Sequence, residues 1–179
     1  AVIKHFSVPK EMNVHVGPAR VFDTEDRAVE ALINRDVKPG DVVVIRYEGP
    51  RANGMPEMYY ATAIIAASKE LSATCAVITD GRYSGAAKGP AVGHITPEAL
   101  DGGPIALVEE GDLIEIHVPG RRLAIVGTKQ DGQLTPEQVD KVLEERCSRW
   151  VRPKPRHNRG ILSLYAKVAA SPTDGAYLA

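Results

Sequence analysis

Aromatic residues are scarce in this sequence, at 5% of the chain, and so are cysteines, of which there are two. With few aromatic rings available, a core must be built mainly from Val, Ile, Leu and Ala. Cys75 and Cys147 lie far apart, and neither has a Cys or His at ligand spacing. An iron–sulfur cluster or a zinc site needs several such ligands, so this chain alone does not supply one. We expect both residues to be buried, reduced thiols of a cytoplasmic protein.

Long apolar runs and a strong charge of either sign are also missing. No stretch approaches the roughly 20 apolar residues that span a bilayer, and no signal peptide is visible. The formal net charge is −1 and the sequence pI is about 6.6. Nothing in this balance suggests a surface for nucleic acid or for an anionic membrane, so we expect neither as a partner.

What is present is the composition of a soluble globular domain, with 44% hydrophobic and 25% charged residues. A chain of 179 residues fits one domain, 1–179, which can bury roughly 70% of its unfolded surface. The sequence begins with Ala1 rather than Met and reads at once as a strand. We therefore expect a piece of a longer protein, cut at a domain boundary.

Hydrophobic periodicity predicts the regular elements. Alternating or β-branched runs favour strands over residues 1–6, 17–22, 41–47, 74–79, 105–108, 112–118 and 122–126. Capping residues and apolar stripes favour helices over 24–34, 57–69, 135–150 and 161–170, with one helical turn capped by Thr96. The apolar stripes of the helices over 24–34 and 135–150 would place Ile33 and Cys147 on the faces that contact the core. Residues 48–56 read as a loop, and the basic, Pro-rich residues 151–159 read as a linker or surface arm.

Helices inserted among six or more strands predict an α/β domain with a mixed or barrel-like sheet. A doubly wound parallel sheet needs regular alternation of strands and helices, and this alternation fails over residues 105–126.

The most informative segment is residues 77–85, VITDGRYSG. An apolar run ending at Ile78 leads directly into a glycine-rich turn that presents Asp80, Arg82 and Ser84. A buried strand that opens into such a loop often carries chemistry, because the rigid strand aims mobile polar residues. The turn lacks the Walker phosphate-loop pattern, since Lys88 is followed by Gly rather than by Ser or Thr. Its backbone amides could still hold an anion.

Several further short motifs, which we call sequence words, occur in the chain together with this segment. In order, they are residues 17–23 (GPARVFD), 38–50 (KPGDVVVIRYEGP), 54–58 (GMPEM), 93–99 (GHITPEA) and 102–112 (GGPIALVEEGD). Taken together, these words resemble the C-terminal domain of the dihydroxyacid and 6-phosphogluconate dehydratase family, over nearly the whole chain. The resemblance implies a mixed, β-barrel-like, swivelling β/β/α domain with peripheral helices. It also implies that an N-terminal domain, absent from this chain, carries the cysteines of an iron–sulfur cluster and most ligands of a Mg²⁺ ion. The active site would lie between the two domains, and the full-length protein would be a homo-oligomer.

The family's reaction implies roles for particular residues. A 2,3-dihydroxy acid loses the C2 proton and the C3 hydroxyl, and the resulting enol becomes a 2-keto acid. The leaving hydroxide needs a Lewis acid, the developing charge needs a cation, and C2 needs a base. By resemblance, Ser84 is the base and Glu57 is a metal ligand. Taken alone, Ser84 would be a turn residue and Glu57 a first-turn helix residue favoured by the helix dipole.

Four neighbouring residues are candidates for substrate contacts or for shaping the loop, namely Asp80, Arg82, Gly85 and His94. Asp80 and Arg82 could instead form an ion pair that fixes the loop, and His94 could be a hydrogen-bonded structural histidine.

The leading interpretation is thus the C-terminal domain of a dihydroxyacid dehydratase of branched-chain amino acid biosynthesis. The alternatives are a dehydratase of a sugar acid such as 6-phosphogluconate, gluconate or a pentonate, and a non-catalytic binding module. Departures from the family words leave the substrate open: Tyr83 stands where many members have Phe, Ala86 and Ala87 stand near a frequent Ser or Thr, and Lys88 often aligns with Arg. We expect the isolated domain to be folded, free of iron and inactive.

Overall fold

A computed structural model describes residues 1–84, 87–154 and 156–178. Eight strands form one mixed sheet in the order β1-β5-β4-β3-β2-β6-β7-β8. The strands are β1 (Val2–Ile3), β2 (Val14–Phe22), β3 (Val42–Ile45), β4 (Ala76–Thr79), β5 (Ala91–Gly93), β6 (Leu113–His117), β7 (Arg122–Thr128) and β8 (Gly132–Gln133). The helices are α1 (Glu25–Ile33), α2 (Pro50–Asn53), α3 (Tyr59–Ala67), α4 (Lys69–Thr74), α5 (Pro136–Arg149) and α6 (Gly160–Val168).

Parallel strands occupy the middle of the sheet. β2, β3, β4 and β5 run parallel, whereas β1 pairs antiparallel with β5, and β6 to β8 form an antiparallel meander beyond β2. In β3, Val42 and Val44 face one core cluster, while Val43 and Ile45 face the other. Burial on both faces explains why this strand reads as a continuous apolar run rather than as an alternating one.

Each face of the sheet is covered differently. Helices α1 and α3 pack together over one face, where Ala28, Leu32, Ala61 and Ile65 join the core. The other face is covered partly by the sheet itself, because Ile114 of β6 belongs to the same cluster as the β3 residues. The two ends of the sheet also meet this cluster, through β1 on one side and β7 on the other.

Most of the elements expected from the sequence are confirmed. α1 begins after Thr24, whose hydroxyl accepts a hydrogen bond from the Arg27 amide at 3.2 Å. α5 begins with the expected capping box, in which Thr135 and Gln138 satisfy each other's backbone amides. Within the described residues, no helix combines the length and apolar character that crossing a bilayer requires.

The strand expected over residues 105–108 is wrong, because Pro104–Leu107 is a 3₁₀ helix. Pro104 fixes the first helical φ, and the Ala106 amide donates to the Gly103 carbonyl at 2.8 Å. Ile105, Ala106 and Leu107 of this turn are buried all the same. An apolar run alone does not distinguish the two conformations, and the preceding Gly-Pro decides for the turn.

Several helix boundaries and faces also differ from expectation. The 48–56 loop contains α2, which starts at a Pro, and α3 starts at Tyr59 rather than at residue 57. The turn near Thr96 is the 3₁₀ helix Ala99–Asp101, preceded by Glu98 at the cap position. Ile33 is 66% exposed, because it lies at the end of α1 beyond the last contact with the core.

The inward face of α5 agrees with the prediction at Val139 and differs from it in the last turn. Cys147 is exposed, whereas Arg146 beside it is buried and forms an ion pair with buried Asp112. The apolar stripe of α5 continues only as far as Leu143. The last turn of this helix contacts the rest of the protein through the ion pair of Arg146. Cys75 is buried, as expected.

Candidate active site

The candidate residues gather at the C-terminal ends of β3, β4 and β5. Because these strands run parallel, the chain leaves each of them at the same edge of the sheet. The segment after β3 leads to Glu57, the segment after β4 carries Asp80, Arg82 and Ser84, and the segment after β5 begins at His94. Ligands of α/β sheets commonly bind at this kind of edge.

Backbone hydrogen bonds join the segment of Glu57 to the segment of Ser84. Glu57 and Arg82 form a parallel bridge, in which the Arg82 amide donates to the Pro56 carbonyl at 3.0 Å. The Met58 amide then donates to the Arg82 carbonyl at 2.9 Å. The Arg82 guanidinium closes the link by donating from Nε to the Met55 carbonyl at 2.7 Å. The backbone of Glu57, whose side chain is exposed, is therefore held one bridge away from the segment that leads to Ser84.

Ser84 and His94 line one pocket of about 270 Å³, whose rim also includes Lys4 and whose walls include Ile3 and Ala91. The His94 amide donates to the Gly81 carbonyl at 2.9 Å, which holds the start of one segment against the other. Burial, with the Arg82 charge as a further cause, lowers the pKa of His94 below its usual value. His94 is nevertheless exposed, and the lowered pKa favours the neutral imidazole, a form that can accept as well as donate a hydrogen bond.

Strained and tightly packed backbone marks the same edge. Tyr47, Met55 and His94 have positive φ values of 61°, 56° and 54°. Residues other than Gly rarely adopt this conformation, and such strain concentrates at functional sites. A Cβ on Gly81 would lie 3.1 Å from both the Glu48 Cβ and the Pro56 carbonyl oxygen, so Gly81 allows the loops to approach closely.

Asp80 lies beneath the site rather than in it. Its carboxylate is fully buried and accepts backbone hydrogen bonds from Tyr47 at 3.2 Å, Glu48 at 2.9 Å and Ala99 at 2.8 Å. Burial raises the pKa of Asp80 to about 6, against the effect of these amides. Within the described part of the chain Asp80 forms no ion pair with Arg82, so that expectation is wrong: Asp80 fixes the loops through backbone amides. Gly85, the remaining candidate, falls outside the described residues.

Two buried carboxylates beside Asp80 were not predicted from the sequence. Glu48 is 2% exposed and contacts the guanidinium of Arg156 at 3.2 Å. Glu98 is 0% exposed and accepts from the Arg51 amide at 2.9 Å, and burial raises its pKa to about 7. Both residues lie in loops, where no periodicity marks a buried position. The only local signal is the Gly-Pro that follows Glu48, which allows a close approach and starts a helix.

Glu57 suits partial ligation of a hard cation. The described residues contain no group of three or more His, Cys, Asp or Glu able to hold a metal ion. Mg²⁺ is commonly bound by one or two carboxylates, with water and substrate completing its shell, so a single exposed carboxylate can act as one of several ligands. The cysteines do not fit an iron–sulfur cluster, since Cys75 is buried in the core and Cys147 lies on the outer surface of α5.

The fold and the site define a mixed-sheet α/β domain with a serine hydroxyl, a neutral imidazole and a carboxylate at one sheet edge. A sequence model of the family described as dihydroxy-acid/6-phosphogluconate dehydratase C-terminal matches residues 1–176. The chain therefore belongs to this family.

Relatives named dihydroxy-acid dehydratase align along nearly the whole chain. The protein from Acetivibrio thermocellus is 46% identical over 179 residues, covering 99% of this chain and 30% of the relative. The protein from Ruminiclostridium cellulolyticum is 45% identical over 179 residues, again covering 99% and 30%. The protein from Methanothrix thermoacetophila is 46% identical over 180 residues, with the same coverage. The chain thus spans about 30% of the length of the curated relatives it matches.

Proposed function

We propose that this chain is the C-terminal domain of a hydro-lyase that converts a 2,3-dihydroxy acid into a 2-keto acid, as its relatives' name implies. The observation that carries the proposal is the backbone bridge between Glu57 and Arg82, which holds the segment of Glu57 beside the segment that leads to Ser84. A remaining N-terminal domain would complete the site, and the isolated chain would be inactive.

In this proposal Ser84 Oγ acts as an alkoxide, whose formation a bound metal ion would favour by lowering the pKa of the serine hydroxyl. The alkoxide takes the C2 proton of the substrate and becomes a neutral hydroxyl, while the C3 hydroxyl departs as hydroxide from the neighbouring carbon. The enol that results takes up a proton at C3 and loses the proton of its C2 hydroxyl, which gives the 2-keto acid. Glu57 is one ligand of Mg²⁺. When bound, this ion would stabilise negative charge on the substrate carboxylate, and an iron–sulfur cluster held by the other domain would act as a Lewis acid. Neutral His94, in the same pocket as Ser84, can hydrogen-bond a substrate hydroxyl.

Arg82 and Asp80 have supporting roles in the proposal. Arg82 ties the two segments together through its backbone and its Nε, and Asp80 anchors three backbone amides below them. A serine and a carboxylate placed within a small fraction of an ångström of their productive positions can supply much of a rate enhancement.

The leading substrate is 2,3-dihydroxyisovalerate, which places the enzyme in branched-chain amino acid biosynthesis. The apolar pocket walls at Ile3 and Ala91 favour a short alkyl tail over a polyhydroxylated chain. A sugar-acid dehydratase is the second candidate, because the family description includes 6-phosphogluconate dehydratase.

The finer description of the fold is part of the same proposal. A β-barrel-like curl is supported by a cavity whose lining includes Ile3 of β1 and Leu123 of β7, the strands near opposite ends of the sheet. We propose that the domain swivels against its N-terminal partner, and that the full-length protein is a cytoplasmic homo-oligomer.

The test uses the full-length protein, purified without oxygen and supplied with Mg²⁺. Formation of 2-keto acid is followed from 2,3-dihydroxyisovalerate, gluconate, 6-phosphogluconate and xylonate. The proposal expects turnover, with the highest kcat/KM for the branched acid. A preference for a sugar acid would leave the chemistry in place and change the pathway. No turnover of any of them, with cluster and Mg²⁺ measured as present, would contradict the proposed function.

A further inference from the structure

The basic arm, residues 151–154 and 156–159, lies across the loops that carry the candidate active site. Arg156 contacts both carboxylate oxygens of Glu48 through Nη1, each at 3.2 Å. Its Nη2 donates to the Asp23 carbonyl at 2.9 Å and to the Tyr47 carbonyl at 3.3 Å. One guanidinium therefore joins the arm to the ends of β2 and β3.

Glu48 connects this guanidinium to the serine loop. The Glu48 amide donates to the buried carboxylate of Asp80 at 2.9 Å, and Asp80 is the first residue after β4. The Glu48 carboxylate also accepts from the Glu25 amide at 3.2 Å, at the start of α1. A shift of Glu48 would therefore move the backbone from which the loop of Ser84 begins.

A second contact of the arm reaches the segment that leads to Glu57. His157 Nε2 lies 2.6 Å from Asn53 Oδ1, and the Asn53 side-chain amide donates to Glu48. Asn53 ends α2, and Glu57 follows four residues later in the sequence. The arm is thus tied to both segments of the candidate site, and Glu48 is common to the two paths.

Among the residues of the arm that contact these loops, Arg156 matters most because it supplies the positive charge beside Glu48. The Glu48 side chain is 2% exposed and lies beside buried Asp80, whose pKa it helps to raise. Among the described residues, Arg156 is the one Lys or Arg that forms an ion pair with Glu48. A buried carboxylate that loses its cation rearranges or takes up a proton, because an uncompensated buried charge is strongly unfavourable.

We propose that Arg156 is a positioning residue, which acts through Glu48 to hold the segments of Glu57 and Ser84 in their reactive arrangement. This inference rests on the function proposed above for the site. Arg156 has no direct part in the chemistry: its side chain is 33% exposed and contacts Glu48 and two backbone carbonyls.

The variants for the test are made in the full-length enzyme. Arg156→Met removes the charge and keeps much of the apolar stem. Arg156→Lys keeps a charge for Glu48 but loses the planar fork that also reaches the two carbonyls. Arg159→Met is the matched control, because Arg159 belongs to the same arm and is exposed.

Two readouts are measured: kcat and KM under saturating Mg²⁺, and hydrogen exchange of the Glu48 and Arg82 amides. We expect Arg156→Met to lower kcat by about tenfold, since small misplacements of reacting groups are costly. KM should change by less than about threefold, since Arg156 does not contact the substrate. Both amides should exchange faster, while amides within helix α5 should not. Arg156→Lys should recover part of kcat, and Arg159→Met should match the wild type.

Three outcomes would overturn the inference: a kcat for Arg156→Met equal to that of Arg159→Met, unchanged exchange at both amides, or faster exchange along the whole chain. The last would mean general destabilisation rather than positioning. Exchange needs no turnover, so it separates this inference from the proposed function. An inactive wild-type enzyme would refute the function, and the Glu48 and Arg82 amides would still decide whether Arg156 holds the loops.

Discussion

Removing the buried cation of α5 should destabilise the protein strongly. Arg146 and Asp112 are 7% and 2% exposed, and two hydrogen bonds join them: Nη1 to Oδ2 at 2.5 Å and Nη2 to Oδ1 at 2.9 Å. Nη1 also donates to the Leu107 carbonyl at 3.0 Å, and Asp112 accepts from the Glu109 amide at 2.8 Å. Arg146 therefore joins α5 to the turn before β6.

Arg146→Met would leave the Asp112 carboxylate buried without its cation. Breaking one side of a buried pair commonly costs about 3–5 kcal/mol, because the remaining charge is desolvated and unpaired. In a domain of this length, each kcal/mol lowers Tm by about 2–4 °C, so the expected decrease is about 10 °C. Asp112→Asn removes the charge but keeps an acceptor for the Glu109 amide. The double variant should then lose less stability than the sum of the two single variants.

The assay is urea denaturation of the chain followed by circular dichroism, with thermal melting as a second measure. Arg149→Met is the matched control, because Arg149 lies on the same helix, is 60% exposed and contacts Glu109 at 3.4 Å. Exposed ion pairs contribute about 0–1 kcal/mol, so this variant should stay close to the wild type. An Arg146→Met variant within 1 kcal/mol of the Arg149→Met variant would refute the reasoning.

Two further predictions concern buried polar groups near the candidate site. The Tyr83 hydroxyl is buried with no hydrogen-bond partner among the described residues. Tyr83→Phe should therefore raise the free energy of unfolding, measured by urea denaturation, by about 1 kcal/mol. A lower stability of this variant would contradict the prediction and show that the hydroxyl has a partner. Glu98 has a folded pKa of about 7, above its unfolded value, so the folded state keeps a proton that the unfolded state loses as pH rises. Its contribution to stability is fully present below about pH 4.5 and falls by up to about 1.4 kcal/mol per pH unit until about pH 7. Glu98→Gln should make the stability–pH curve flatter in that window, and an unchanged curve would contradict the raised pKa.

Elements with strong local signals could be predicted from the sequence. The β-branched run 42–45 is a strand whichever face it buries, and the capping box at Thr135 fixes the start of α5. The turn at Pro104 follows from the local Gly-Pro that precedes the apolar run, whereas the outward position of Cys147 depends on contacts between distant segments. Arg146 is buried because Asp112, 34 residues earlier, comes to meet it, and no local pattern encodes that distance.

The candidate site could likewise be predicted only in part from the sequence. The roles of Ser84 and Glu57 are predicted from the family's sequence words. The structure adds the backbone bridge that brings their segments together. The sequence left two alternatives for Asp80, a substrate contact or an ion pair with Arg82. The partners of Asp80 are instead the amides of two other segments, which only the parallel arrangement of β3 to β5 places within reach.

The most direct test of the proposed function is the turnover of Ser84→Ala in the full-length, metal-loaded enzyme. Ser148→Ala serves as control, because the Ser148 hydroxyl lies on the outer surface of α5 and donates to the Glu145 carbonyl. If Ser84 removes the C2 proton, kcat with 2,3-dihydroxyisovalerate falls at least about a hundredfold, in the range general bases contribute, with KM nearly unchanged and cluster content intact. A Ser84→Ala enzyme with the kcat of the Ser148→Ala control would contradict the assignment.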